Sequence, residues 1–189
     1  NTGADIINCS WGSTSYLNSA ISLALSNDVV VTNAAGNDGG SSSDYLGTRS
    51  GVICATALDD DDTKSSFSNF GSWVEVSAPG SDIYTTHYDF QTSSSTYLAV
   101  DGTSFASPLT AAACALLRSA YPAYNYSQIA NLLYDGCDNI DAQNPGYIGQ
   151  LGAGRINVLG SLGDDVHTLP DEFPTLFDAM NCARPGDTI

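Results

Sequence analysis

Ser104 lies in Gly102-Thr103-Ser104-Phe105-Ala106-Ser107-Pro108, at the start of a long run of small and apolar residues. A helix N-terminus presents unbonded N–H groups and a partial positive charge, which favour a developing oxyanion. A serine there can act as a nucleophile toward a carbonyl carbon, and Gly102 beside it lets a substrate backbone approach closely. The same local sequence also reads as a plain N-cap, for which serine is a leading residue. Asn37 is the second candidate, in Ala34-Ala35-Gly36-Asn37-Asp38-Gly39 after the apolar run Val29 to Ala34. An amide at the C-terminal end of a strand can donate into the crevice where open α/β sheets bind ligands; a turn asparagine with positive φ is the alternative. There are two histidines, His87 in a loop-like stretch and His167 near the C-terminus. Neither is marked as a general base, because position in the fold makes a base, not mere presence.

Strands and helices must alternate to hold these residues. Asp5–Trp11, Asp28–Ala34, Val52–Ala57 and Val74–Ala78 read as short apolar strands, the β-branched runs being typical of buried parallel strands. Between the first two, Tyr16–Ser26 places Leu17, Ala20, Ile21, Ala24 and Leu25 on one helical face. Thr103–Ala120 is apolar all round, which predicts a central helix buried on every side, with Pro108 in its first turn. Ser127–Tyr134 reads as an amphipathic helix capped by Ser127 or Asn125. The alternation predicts an α/β fold, a mostly parallel sheet with helices on both faces. Composition shifts near residue 163, which divides the chain into 1–163 and a linker with a following segment, 164–189.

The 189 residues carry 5 Lys+Arg against 21 Asp+Glu, a net charge of −16. That field repels phosphate backbones and anionic lipid, so nucleic-acid and membrane-surface roles are excluded as expectations. No apolar run reaches the roughly 20 residues of a membrane helix. Five cysteines cannot all pair within the chain. Cys9, Cys54 and Cys114 read as small buried hydrophobes, while Cys137 and Cys182 sit in polar surroundings and are able to pair. The acidic run Asp59 to Asp62 lacks the ligand alternation of an EF-hand loop and reads as a solvated connection. A structural calcium ion is left open, and no metal site is assigned.

Taken in order, Gly3 to Gly12, Ala34-Ala35-Gly36-Asn37, Ser66-Phe67-Ser68-Asn69-Phe70-Gly71, Ala78-Pro79-Gly80, Gly102 to Pro108 and Gly152-Ala153-Gly154-Arg155-Ile156-Asn157 resemble the segments of subtilisin-like serine peptidases. The resemblance covers residues 1 to about 160. It implies that Ser104 is the acylating nucleophile and that Asn37 and the Ser104 N–H stabilise the tetrahedral oxyanion. It further implies that Ser10-Trp11-Gly12 pairs with a polypeptide substrate, that Ala35-Gly36 forms the opposite pocket wall, and that Gly102 and Thr103 contact substrate. No cofactor is required for such chemistry, and secretion is expected.

The sequence departs from the family at several points. Leu109 stands where the family usually has histidine after the serine motif, and Leu46 where it commonly has proline. Asp38 and Asp44 either favour a basic residue in the pocket through charge attraction or are solvated loop residues. The family's Asp-Thr/Ser-Gly and His-Gly-Thr motifs do not occur. The expectation is the C-terminal part of a peptidase domain, its N-terminal part absent, with the triad Asp and His supplied by a segment outside this chain. Loss of the base alone costs about 2 × 10⁶ in kcat in this family, so the chain alone is expected to be nearly inert. The rival reading is a non-catalytic peptide-binding or structural module of the same fold. Finally, 173–189, ending Ala183-Arg184-Pro185-Gly186-Asp187-Thr188-Ile189, is similar to the opening of right-handed parallel β-helix domains; a loose tail is the alternative.

Overall fold

A computed structural model describes residues 3–13, 17–43 and 45–163. Asp44, His167, Cys182, the linker and the β-helix-like segment lie outside the described residues. The chain begins with β1 (Ile6–Cys9), α1 (Asn18–Ser26), β2 (Val30–Ala34), β3 (Val52–Leu58) and β4 (Val76–Pro79). The four strands form one sheet in sequence order, every neighbouring pair parallel. All residues of β2 and β3 are buried, as expected for strands covered on both faces.

Alternation along the strands divides the core in two. Val30, Ile53, Ala55, Val76 and Ala78 pack against α2 (Thr103–Ala120) and α3 (Tyr126–Asp135). Val31, Val52 and Cys9 pack with Ile21 of α1 and Leu46. Helices therefore cover both faces of a parallel sheet, the fold class that the sequence pattern predicts. Cys9, Cys54 and Cys114 are all buried, and burial pushes the Cys114 thiol up to about 12.

Several local expectations are corrected. Helix α2 is not enclosed: Ala106, Thr110, Ala113, Cys114 and Leu117 are buried, but Leu109 is 40% and Leu116 58% exposed. Among the described residues nothing covers that side, and an alanine-rich run does not reveal which of its faces has a partner. Because α2 begins at Thr103, Pro108 falls in its second turn and not its first. The stretch around His87 is not a loop but a hairpin, β5 (Ile83–Asp89) paired antiparallel with β6 (Ser94–Val100). Its Ser- and Thr-rich strands hide the alternation, since one face carries Ile83, Leu98 and Val100 while the other exposes Tyr84, Tyr88 and Tyr97.

Asn125, not Ser127, caps α3, in a reciprocal capping box with Gln128. Asp59 to Asp62 form a turn in which the Asp59 N–H donates to Thr63 O at 2.8 Å, and Asp62 pairs with Arg155 at 3.1 Å. The closing segment lies along β4, where Ser77 N–H donates to Gly154 O and Ile156 N–H donates to Ser77 O. It then enters α4 (Val158–Leu162), whose N-cap Asn157 accepts from the Gly160 N–H.

Candidate active site

Because the four strands are parallel, the segments that leave their C-terminal ends emerge on one side of the sheet, the usual place for a ligand in such folds. Helix α2 begins there and is tied to three of these exits. The Ser104 hydroxyl donates to Ser10 O after β1 at 3.3 Å. The Gly36 N–H after β2 donates to Thr103 Oγ1 at 3.1 Å, and the Gly102 N–H donates to Gly80 O after β4 at 2.8 Å.

Ser104 is not the N-cap. Gly102 holds that position, no side chain caps the helix, and Ser104 lies inside the first turn with its hydroxyl directed to β1's exit. Its carbonyl is used as well. In an uninterrupted helix that carbonyl would accept from the N–H of residue 108, but Pro108 has none. Ser10 Oγ donates to it instead, at 2.8 Å. Ser10 and Ser104 are thus joined in both directions.

Asn37 faces the same turn. Its Oδ1 accepts from the Thr103 N–H at 2.9 Å and from Thr103 Oγ1 at 2.8 Å. A backbone N–H can only donate, so the amide oxygen must face it and the Nδ2 group must face the other way. A β-carbon placed on Gly102 would lie 3.6 Å from the Ser104 nitrogen and 3.7 Å from Asn37 Nδ2. The Ser104 nitrogen, Asn37 Nδ2 and the Phe105 ring (3.7 Å) thus all lie within contact distance of one point over Gly102.

The remaining expected residues gather around this turn. Trp11 is 50% exposed, and its carbonyl and that of Cys9 both accept from Asn33 Nδ2, at 3.0 and 3.1 Å. This fully buried asparagine holds the Cys9-Ser10-Trp11 backbone in place. Gly12 continues that exposed segment, and Ala35 is buried beside Gly36. Asp38 is exposed. His87 is exposed on the hairpin.

Sequence reasoning missed the polar residues beneath the site. Ser107 Oγ donates to Asn8 Oδ1 at 2.6 Å, and Thr32 Oγ1 donates to the same atom at 3.2 Å, linking α2 to β1 and β2. Asn33, a polar residue inside a β-branched run, was a usable signal. Asn69 lies in the segment Ser66 to Gly71 that carries part of the resemblance, but its residue type gave no sign of a contact with the loop after β2.

Residues 1–154 match the model of the Subtilase family. The chain is 39% identical over 163 residues to Subtilisin DY from Bacillus licheniformis, covering 82% of this chain and 56% of that protein. It is 42% identical over 120 residues to Thermitase from Thermoactinomyces vulgaris, covering 62% of this chain and 41% of that protein. The chain thus spans about half the length of these curated relatives. Among solved structures, a protease from Pseudoalteromonas arctica superposes with a TM-score of 0.76 at 28% identity, over 86% of this chain and 52% of that one. The prenylagaramide maturation protease PagA gives 0.74 at 28% identity, over 86% of this chain and 62% of that one.

Proposed function

The chain belongs to the subtilase family, and on that premise we propose that it is the part of a serine endopeptidase that carries the nucleophile and the oxyanion donors. The carrying observation is that the Ser104 nitrogen and Asn37 Nδ2, the amide oxygen being turned to Thr103, both lie within 3.7 Å of one point over Gly102 at the mouth of α2. Ser104 Oγ attacks the carbonyl carbon of a scissile peptide bond and gives its proton to a base. The carbonyl π electrons move onto the oxygen, which the Ser104 N–H and Asn37 Nδ2 then hold. As the tetrahedral state collapses, the C–N bond breaks, the amine leaves with the proton and an acyl-enzyme remains on Ser104. Water repeats the sequence and releases the acid.

The base and its orienting carboxylate come from a segment outside this chain. Two features support a place for that segment: β1 is an edge strand of the sheet, and α1 and α2 leave Leu23, Leu109 and Leu116 exposed. The substrate is a polypeptide, paired along Ser10-Trp11-Gly12 with Ala35-Gly36 opposite and Gly102-Thr103 at the scissile bond. The reaction needs no cofactor from these residues. Among the described residues no helix is long and apolar enough to cross a membrane, and the acidic surface suits a secreted enzyme.

A fluorophosphonate probe tests this reading. Labelling of Ser104 that requires the base-carrying segment and vanishes in Ser104→Ala is the expected result. No labelling in the presence of that segment would favour the non-catalytic peptide-binding module.

A further inference from the structure

We propose that Asn69 is the positioning residue of the oxyanion site, acting through the loop that carries Asn37; the inference rests on the oxyanion role proposed for Asn37. Asn69 is 4% exposed and lies on a different segment from that loop, after β3. Its Oδ1 accepts from the Asp38 N–H at 2.9 Å and from the Gly40 N–H at 3.1 Å. Nδ2 donates to Ser42 O at 3.2 Å, and the Asn69 N–H donates to Gly36 O at 2.9 Å. One side chain and its own amide therefore bind the loop on both sides of Asn37 and again at its far end.

The loop has been shaped around this contact. Gly36 has φ 101°, and a β-carbon there would lie 2.5 Å from Asn69 Nδ2, so residue 36 must be glycine for both reasons. Asn69 is itself anchored to the sheet, because its carbonyl accepts from Thr56 Oγ1 of β3 at 2.7 Å. The next residue back is fixed from a second direction. Lys64 is buried, and its Nζ donates to Ser65 O at 2.7 Å and to Ser68 O at 2.9 Å. A rigid line of hydrogen bonds thus runs from β3 through Asn69 to the backbone that aims Asn37.

The Thr103 contacts orient the Asn37 amide, but only if the loop delivers its α-carbon to the right place. A displacement of about 1 Å in such a group can cost about 10²-fold in rate.

The test is a double-mutant cycle on the peptidase complete with its base-carrying segment, reading kcat and KM separately. Asn37→Ala should lower kcat by about 10²–10³, the loss known for this family's oxyanion asparagine. Asn69→Ala should lower kcat by about 10- to 100-fold with KM nearly unchanged. In the Asn37→Ala background, Asn69→Ala should cost nothing further, since the group it positions is gone. Additive losses, or a change in KM alone, overturn the positioning role. A silent Asn37→Ala overturns the oxyanion reading itself and takes the proposal with it. Should Asn69→Ala fail to fold, Asn69→Ser keeps the backbone bonds to Gly36 and Thr56 and removes the amide bonds to Asp38, Gly40 and Ser42. With an intact fold it should lower kcat in the same way and leave KM nearly unchanged; kcat equal to that of the parent contradicts the account.

Discussion

Pro108 cannot donate to the carbonyl of Ser104, and Ser10 supplies the missing bond from another element. Pro108 and Ser104 are therefore parts of one device that fixes β1's exit to the start of α2. Ser10→Ala should leave that carbonyl without its partner and lower stability by about 1 kcal/mol in urea denaturation. Pro108→Ala returns an N–H at the right place, so the double variant should recover the loss; a double variant less stable than Ser10→Ala would contradict this origin. The motif around Ser104 was legible in the sequence, yet the local residues allowed a cap as readily as a nucleophile. The turn in which the helix begins rules out the cap, and the Gly102 N–H, bonded to Gly80 O, ties that turn to a segment distant in sequence. The oxyanion role proposed for Asn37 rests in the sequence on resemblance alone, because the Thr103 contacts that orient its amide come from a distant segment.

At the scale of elements, β-branched runs announced the parallel sheet because strands buried on both faces need no polar alternation. The β5–β6 hairpin stayed hidden for the opposite reason: its exposed face mixes Tyr84, Thr86 and Tyr88 with Ser95, so no apolar period stands out. The joint between β3 and β4 holds a titratable group that no pattern could flag. Glu75, one residue before β4, accepts from the Cys54 N–H of β3 at 2.8 Å. Burial pushes its carboxyl up to about 7, against the lowering effect of that hydrogen bond. Below its ordinary value of 4.5 both folded and unfolded chains are protonated. Between 4.5 and about 7 the folded chain keeps a proton that the unfolded chain has released, so stability falls as pH rises through this window. Glu75→Gln keeps an acceptor for Cys54 and removes the titration. Relative to the parent it should gain on the order of 2 kcal/mol between pH 5 and pH 8 in denaturant unfolding. An unchanged difference between the two proteins across that range would contradict the assignment.

Across the whole molecule, the site is built where the ends of parallel strands meet one helix. Ser104 is the proposed nucleophile, the loop after β2 carries Asn37, and the loop after β3 carries Asn69, whose side chain binds that loop. The sequence made the family legible because these short segments keep their order and spacing, whereas the polar contacts of Asn8, Thr32, Asn33 and Ser107 beneath the site, and those of Asn69 to the neighbouring loop, join four segments that only folding brings together. The same holds for α2, whose exposed Leu109 and Leu116 could not be told from its buried leucine in sequence. The central claim is that a peptide carbonyl is transferred to Ser104. Its most direct measurement is acid-quench mass spectrometry of the peptidase, complete with its base, during turnover of an activated peptide ester. An acyl adduct on Ser104 that forms faster than it decays, and that accumulates more slowly in Asn37→Ala, is the expected result. Product released with no adduct on Ser104, or with the acyl group on another residue, would contradict the account.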